Sequence, residues 1–168
     1  MEQYSRHNMV EIFGIPESQN ENGNELILKV CRELGVNFGP EVISSSHRLR
    51  KFGNQTSAGI IVQFVRRKCV DDVLRMRREK RYLTAQQIGF HKDDSPIYVN
   101  LALSPNRRRL LAEAKKIKKL VGLKFVWVDR AGSVKIRENG GSRVKTIDDL
   151  NAFTVVSNYN AVQGSRGE

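Results

Sequence analysis

The residues of this chain whose type and spacing could do chemistry are cations. Residues 104–125, SPNRRRLLAEAKKIKKLVGLKF, hold eight Lys or Arg against one Glu, which is +7 of a formal net charge of +11. Leu110, Leu111, Ala114, Ile117 and Val121 recur at the spacing of an apolar helical stripe, and Arg108, Lys115 and Lys119 fall on the opposite side. A helix that merely keeps its surface wet intersperses acids at i,i+4, and here only Glu113 does so. The chemistry such a ridge offers is contact with phosphates or another polyanion. The remaining charge is uneven: −4 over residues 1–47, +8 over 48–81 and +7 over 82–168. Phosphate contacts need Lys and Arg rather than one exact geometry. The candidates are therefore Arg48, Arg50, Lys51, Arg77, Arg78, Lys80 and Arg81 in the first part of the chain, and Arg107, Arg108, Lys115 and Lys119 in the second.

Catalysis has little to stand on. His7, His47 and His91 are scattered, no Cys/His cluster has metal-site spacing, and the adjacent pairs Asp71-Asp72, Asp93-Asp94 and Asp148-Asp149 read as helix-start or turn chemistry. No P-loop, nucleophile elbow or HExxH occurs. The expectation is a non-enzymatic protein with no cofactor and no metal. Cys31 and Cys69 read as reduced core thiols. With no apolar run of membrane-spanning length and no signal-like start, the expected setting is the cytoplasm or nucleus, without a membrane.

The elements that must position these cations follow from periodicity and caps. Met9–Ile15 reads as a strand ended by Pro16. Asn22 to Gly35 reads as a helix, with Asn22 and Glu25 at capping-box spacing and Leu26, Val30 and Leu34 on one face. Ser44–Lys51 is a basic strand candidate, Gly59–Val65 a near-continuous apolar strand suited to the middle of a sheet, Arg67–Lys80 a second helix, and Gln86–Phe90 a weaker strand. This β-α-β-β-α-β order is that of a ferredoxin-like unit of RNA-recognition-motif size, placed at residues 8–92. A smaller β-α-β-β-α unit is expected over 93–153. It starts with a strand at Ile97–Leu103 and continues into the basic helix capped by Ser104 and Pro105. A hairpin of Lys124–Arg130 with Val134–Glu138 and a short helix at Thr146–Phe153 complete it. Residues 154–168 lose periodicity and read as a loose tail. The fold class is α+β.

Aromatic residues complete the candidate site. The aromatic signature of an ordinary RNA-recognition motif is absent from SAGIIVQF, and Phe13 and Phe64 read as packing residues, so the usual sheet face is not assigned to bases. Phe125 and Trp127 share one face of their strand and Val126 and Val128 the other, so one pair must be core; the core role is favoured for Trp127 over base stacking. Tyr98 is placed toward a cleft and joins the candidate binding residues.

Five blocks then stand in register: Arg6-His7-Asn8-Met9-Val10-Glu11-Ile12 with Gly14-Ile15-Pro16-Glu17, Arg77-Arg78-Glu79-Lys80, Ile97-Tyr98-Val99-Asn100, Leu103-Ser104-Pro105, and Phe125-Val126-Trp127-Val128. In that order the chain resembles the first-open-reading-frame, Gag-like proteins of LINE-type non-LTR retrotransposons and the baculovirus few-polyhedra (FP) protein family. The resemblance implies an RNA-recognition-type domain and a C-terminal domain that clasp single-stranded RNA or DNA in a basic groove between them, with a nucleic-acid chaperone or packaging role. It also implies self-association through an upstream coiled coil whose end would be residues 1–7, and importance for the Arg78-Glu79-Lys80 block, after which the family has Gly where this chain has Arg81. The competing expectation is a protein-interaction adaptor, a degenerate fold of this type holding an acidic partner.

Overall fold

The computed structural model describes residues 2–156. The chain divides into two compact units, one over residues 5–102 and one that joins residues 2–4 to the chain from Leu103 onward. Among the described residues the architecture is α+β, with two antiparallel sheets and three α-helices.

In the first unit β1 (Met9–Phe13) leads to α1 (Gly23–Glu33), β2 (Ile43–Arg48), β3 (Ile60–Phe64), α2 (Arg67–Glu79) and β4 (Tyr98–Leu101). The sheet order is β2-β3-β1-β4, all neighbours antiparallel. Alternation along the strands sends Val10, Ile12, Ile60, Val62, Phe64, Val99 and Leu101 to one side. There they share a core with Leu26, Ile27, Val30 and Cys31 of α1 and Cys69, Val70 and Val73 of α2. Each such aliphatic side chain, fully buried, stabilises the fold by about 1.5–3 kcal/mol relative to exposure. Asn22 caps α1 through its side-chain oxygen, which accepts the Glu25 N–H at 3.2 Å, and Gly35 follows the last turn with its N–H on the Arg32 carbonyl. Gly14 ends β1 at φ +92°, and a Cβ there would stand 2.1 Å from the Pro96 carbonyl oxygen, so no other residue fits this turn.

Two expectations for this unit fail. Gln86–Phe90 is not a strand: Ala85–Ile88 form a 3-10 turn, because Ala85 and Ile88, three apart, are the two residues that reach the core. The sheet's fourth strand is instead β4, expected as the first strand of the second unit. It pairs with β1 from Phe13↔Tyr98 to Val10↔Leu101, and the first unit runs past residue 92 to Ala102.

The second unit begins with α3 (Pro105–Val121), continues through β5 (Phe125–Val128), β6 (Val134–Arg137) and β7 (Lys145–Ile147), and reaches a 3-10 helix at Leu150–Val155. Ser104 Oγ accepts the Arg107 N–H at 3.3 Å, Pro105 takes the first helical position, and Gly122 at φ +74° stops the helix. Leu110, Ala114 and Ile117 face Val134, Ile136, Ile147 and Phe153 across one core. The β5–β6 turn is built on Asp129, whose Oδ1 accepts the N–H groups of Ala131 at 3.0 Å and Ser133 at 2.9 Å.

The helix expected at Thr146–Phe153 is replaced by β7 and the 3-10 helix. Ile147 sits opposite Val134 in the sheet, and Asp149 caps the 3-10 helix by accepting the Ala152 N–H at 3.0 Å. Residues 2–7, expected as the end of a coiled coil, contain a 3-10 turn at Tyr4–Arg6, and Gln3 Oε1 accepts the Ser104 N–H at 2.8 Å. Of the expected loose tail, Val156 is buried in the second core, and residues 157–168 lie outside the described residues.

The placement of β4 has a direct consequence. A fragment of residues 1–92 lacks the strand that covers one edge of β1 and loses the buried Val99 and Leu101, so its thermal transition falls sharply in midpoint or loses cooperativity. A fragment of residues 1–102 keeps both. Equal cooperative midpoints, read by circular dichroism, would contradict the pairing.

Candidate nucleic-acid interface

A cationic surface runs along the outer face of α3. Its inner face is fixed by Leu110, Ala114 and Ile117, so Arg108, Lys115 and Lys119 stand exposed on the far side as expected. Lys116 is partnered within the helix, 3.6 Å from Glu113. Arg107 leaves this row: it is half-buried, with Nη1 3.6 Å from Asp148 Oδ1, and it tethers the start of α3 to the chain beyond β7.

The outer face of the second sheet carries a set of residues that alternation along single strands does not reveal. Val126 packs on the core, so Phe125 and Trp127 turn outward, 40% and 37% exposed, which corrects the core role expected for Trp127. In register, Phe125 lies opposite Arg137 and Trp127 opposite Lys135, which in turn lies opposite Thr146. Lys124 Nζ stands 5.5 Å from the Phe125 ring centroid, Lys135 Nζ donates to Thr146 Oγ1, and Arg137 Nε donates to the Ser142 carbonyl at 2.8 Å. Two flat rings therefore sit among three cations on one face. The signal was present in the alternation of F-V-W-V against V-K-I-R. It needed the pairing register to become a surface. Because α3 covers the inner face of this sheet, the aromatic face and the α3 ridge lie on opposite sides of the unit.

In the first unit the sheet face away from the helices carries exposed Tyr98 on its edge strand, across from Phe13, but no exposed ring at its centre. Glu11 is 4% exposed at its centre between Ile61 and Asn100, and Ile61 is buried as well. Phe64 is core, and the Phe13 ring lies against Gly59, where a Cβ would meet it at 2.6 Å. The expected cations divide. Arg77, Lys80, Arg81 and Tyr98 line one small concavity beyond the end of α2. Lys80 Nζ donates there to the Glu33 carbonyl, with Glu33 Oε2 at 3.5 Å, which ties the ends of the two helices together. Arg78 is exposed, its Nε bonded back to the Leu74 carbonyl at 3.4 Å. Arg50 is exposed in the loop after β2, and Lys51 pairs with Glu17 at 3.1 Å.

Arg48 is no surface cation. Its Nε donates to Glu21 Oε1 at 2.6 Å, Nη1 to the carbonyls of Ala58 at 2.6 Å and Ile15 at 2.9 Å, and Nη2 to Glu21 Oε2 at 2.8 Å and the Pro16 carbonyl at 3.0 Å. A guanidinium has five N–H groups, and all are engaged. Its fork matches the Glu21 carboxylate, which is held below the usual carboxylate range first of all by that hydrogen bonding. A concavity of about 580 Å³ opens beside this clamp and is lined by Glu21, Ser46 and His47 among others. It offers an acid and a committed arginine rather than free positive charge.

Cys31 and Cys69 are free and buried, and burial pushes the Cys31 thiol up to about 12, so it stays protonated and inert. Among the described residues, no group of three or more His, Cys, Asp or Glu could hold a metal ion, and no helix is long and apolar enough to cross a membrane.

Arg48→Lys removes the forked contact and strands three backbone carbonyls, so we expect a loss of about 2–4 kcal/mol in unfolding free energy by urea titration. Glu21 adds a pH signature. Its folded pKa is lowered, so its stabilisation is present above the unfolded value of 4.5 and fades as pH falls below it. Glu21→Gln should flatten that part of the stability profile, and an unchanged acid limb would contradict the clamp.

Residues 104–154 match the family model described as Baculovirus FP protein domain 2. No curated protein matches the chain. The stretch from the Ser104 cap through α3 and the three-stranded sheet is thus similar to the second domain of the baculovirus FP protein.

Proposed function

We propose that the chain is a non-enzymatic module that binds single-stranded nucleic acid, RNA or DNA, with little sequence preference. The observation that carries this reading is the outer face of β5 and β6, where Phe125 and Trp127 stand exposed among Lys124, Lys135 and Arg137. Single strands differ from other polyanions in offering unpaired π-faces beside each phosphate, and a surface of rings among cations suits both halves of that unit. The α3 ridge adds a second run of positive charge that raises the local concentration of the strand and takes further phosphates.

The first unit fits a ferredoxin-like arrangement of RNA-recognition type: its β-α-β-β-α-β order and its β2-β3-β1-β4 sheet both support that assignment. With the five sequence blocks in register, this favours a module of the LINE-type Gag-like or FP kind, acting in packaging or annealing of single strands. Linking two weak sites in one chain raises the effective concentration of the second for a strand held by the first. The adaptor reading draws on one observation, the buried Glu11 where a base-binding sheet would carry an aromatic ring. An acidic protein partner would use the cations and leave Trp127 idle.

Three outcomes test the proposal. If roughly five phosphates are neutralised, log affinity falls against log salt with a slope of about −3.5, and replacing Arg108, Lys115 and Lys119 with Ala brings it to about −1.4 at nearly unchanged thermal stability. A salt-independent affinity would sink the reading. Trp127 is the single tryptophan of the chain. Its emission should be quenched by an oligonucleotide of about 20 residues, longer than a typical ~4–16-nucleotide site. Trp127→Ala should cost less than about 2 kcal/mol of stability, well below a core truncation, yet weaken binding; normal affinity in that variant would favour the adaptor.

A further inference from the structure

A second aromatic site lies in the first unit, at the small cavity of about 140 Å³ beyond the end of α2. Its walls include Tyr82 and Tyr98, 67% and 52% exposed, with Arg77 and Arg81 beside them. The two tyrosines are held by backbone pairing. Thr84 and Pro96 form an antiparallel bridge, and the Ile97 N–H donates to the Leu83 carbonyl at 2.7 Å. Carrying that register one step further sets Tyr82 across from Tyr98, while Leu83 and Ile97 turn into the core. The rings thus project on the solvent side from a segment whose own backbone is fixed.

Arg81 is the unusual residue of the cavity. It sits at φ +32°, in the left-handed region that glycine enters without cost and that a residue with a Cβ enters only under strain. The Tyr82 N–H donates to the Lys80 carbonyl and closes a tight turn around it. Lys80 is bound to Glu33 at the α1 end, so the turn is anchored and the charge left facing solvent is that of Arg77 and Arg81. A cavity of this volume is well below the ~300–1,000 Å³ that takes a drug-sized ligand, and it admits one ring system rather than a whole cofactor.

We infer that this cavity receives one unpaired nucleobase, its ring against Tyr82 and Tyr98 and its neighbouring phosphate against Arg77 and Arg81. The inference rests on the single-strand reading above and adds to it a base subsite in the first unit, independent of Phe125 and Trp127. An unpaired base satisfies it and a base held in a duplex does not, so the site selects single strands or ends by access to the ring rather than by sequence.

The test uses the full chain and two probes, a single-stranded thymidine oligonucleotide of about 20 residues and an abasic phosphodiester strand of equal length. The double variant Tyr82→Leu with Tyr98→Leu keeps apolar bulk and removes the flat rings. It should bind the thymidine strand roughly 5- to 100-fold more weakly, the effect of losing one stacked base, and the abasic strand as the unmodified protein does. Arg81→Gly should leave the melting temperature equal or higher, because the backbone strain is relieved, while flattening the salt slope for both probes by about 0.7. Ultraviolet cross-linking of a 4-thiothymidine strand to the unmodified protein gives a reading that does not depend on folding of a variant, and it should label Tyr82 or Tyr98. Thymidine binding that is unchanged in the double variant, or cross-links confined to other residues, would overturn the subsite and leave the broader reading standing. If the unmodified protein binds neither strand, the nucleic-acid reading itself fails.

Discussion

Arg48 stands at the end of β2 with all five N–H groups engaged, and three separate stretches of chain converge on it: the loop after β1 through Ile15 and Pro16, Glu21 ahead of α1, and Ala58 ahead of β3. Each carbonyl would otherwise face the edge of an apolar sheet without a donor, and an unsatisfied buried polar group costs about 1–3 kcal/mol. The clamp therefore fixes where β1 ends and β3 begins, and with them the β1–β3 pairing on which the sheet is built. β4 then adds to the other edge of β1, and Tyr98, its first residue, takes its position from that pairing. A residue counted as surface charge is the one that lets the rest of the charge be presented.

Positive charge in this chain has two fates, and geometry separates them. Arg48, Lys80 and Arg107 lie where backbone carbonyls or an acid converge, and they hold elements together. Lys115 and Lys119 project from the outer side of a helix whose inner side is fully apolar. The second group is available to a polyanion because its helix is held from beneath by Leu110, Ala114 and Ile117 rather than by its charges.

Much of the fold is legible in the residues alone. Both capped helices are marked by local chemistry: Asn22 with Glu25 for α1, and Ser104 with Pro105 and Gly122 for α3, because a cap acts within one turn of its own residue. Pairing is less legible. The alternation in Ile97–Leu103 shows a strand and says nothing about which sheet it joins, and that choice depends on β1, more than eighty residues earlier. The same limit applies to Trp127. Period-2 alternation separates two faces, and only the position of α3 decides which face is inward. Arg48 reads as surface charge because its partners lie 10 to 33 residues away, and Lys135 and Arg137 escape notice because they become an aromatic neighbourhood only once β6 is set against β5.

The central claim is that these surfaces recognise an unpaired base and its phosphate, and not negative charge alone. The most direct measurement compares the affinity of the intact chain, at one ionic strength, for a single-stranded RNA of about 20 nucleotides and for an acidic polypeptide of equal length and charge. Ring stacking worth ~1–3 kcal/mol per base, with 1.4 kcal/mol equal to a factor of ten, predicts that the RNA binds at least about tenfold more tightly. Equal affinities, or tighter binding of the polypeptide, would contradict the account.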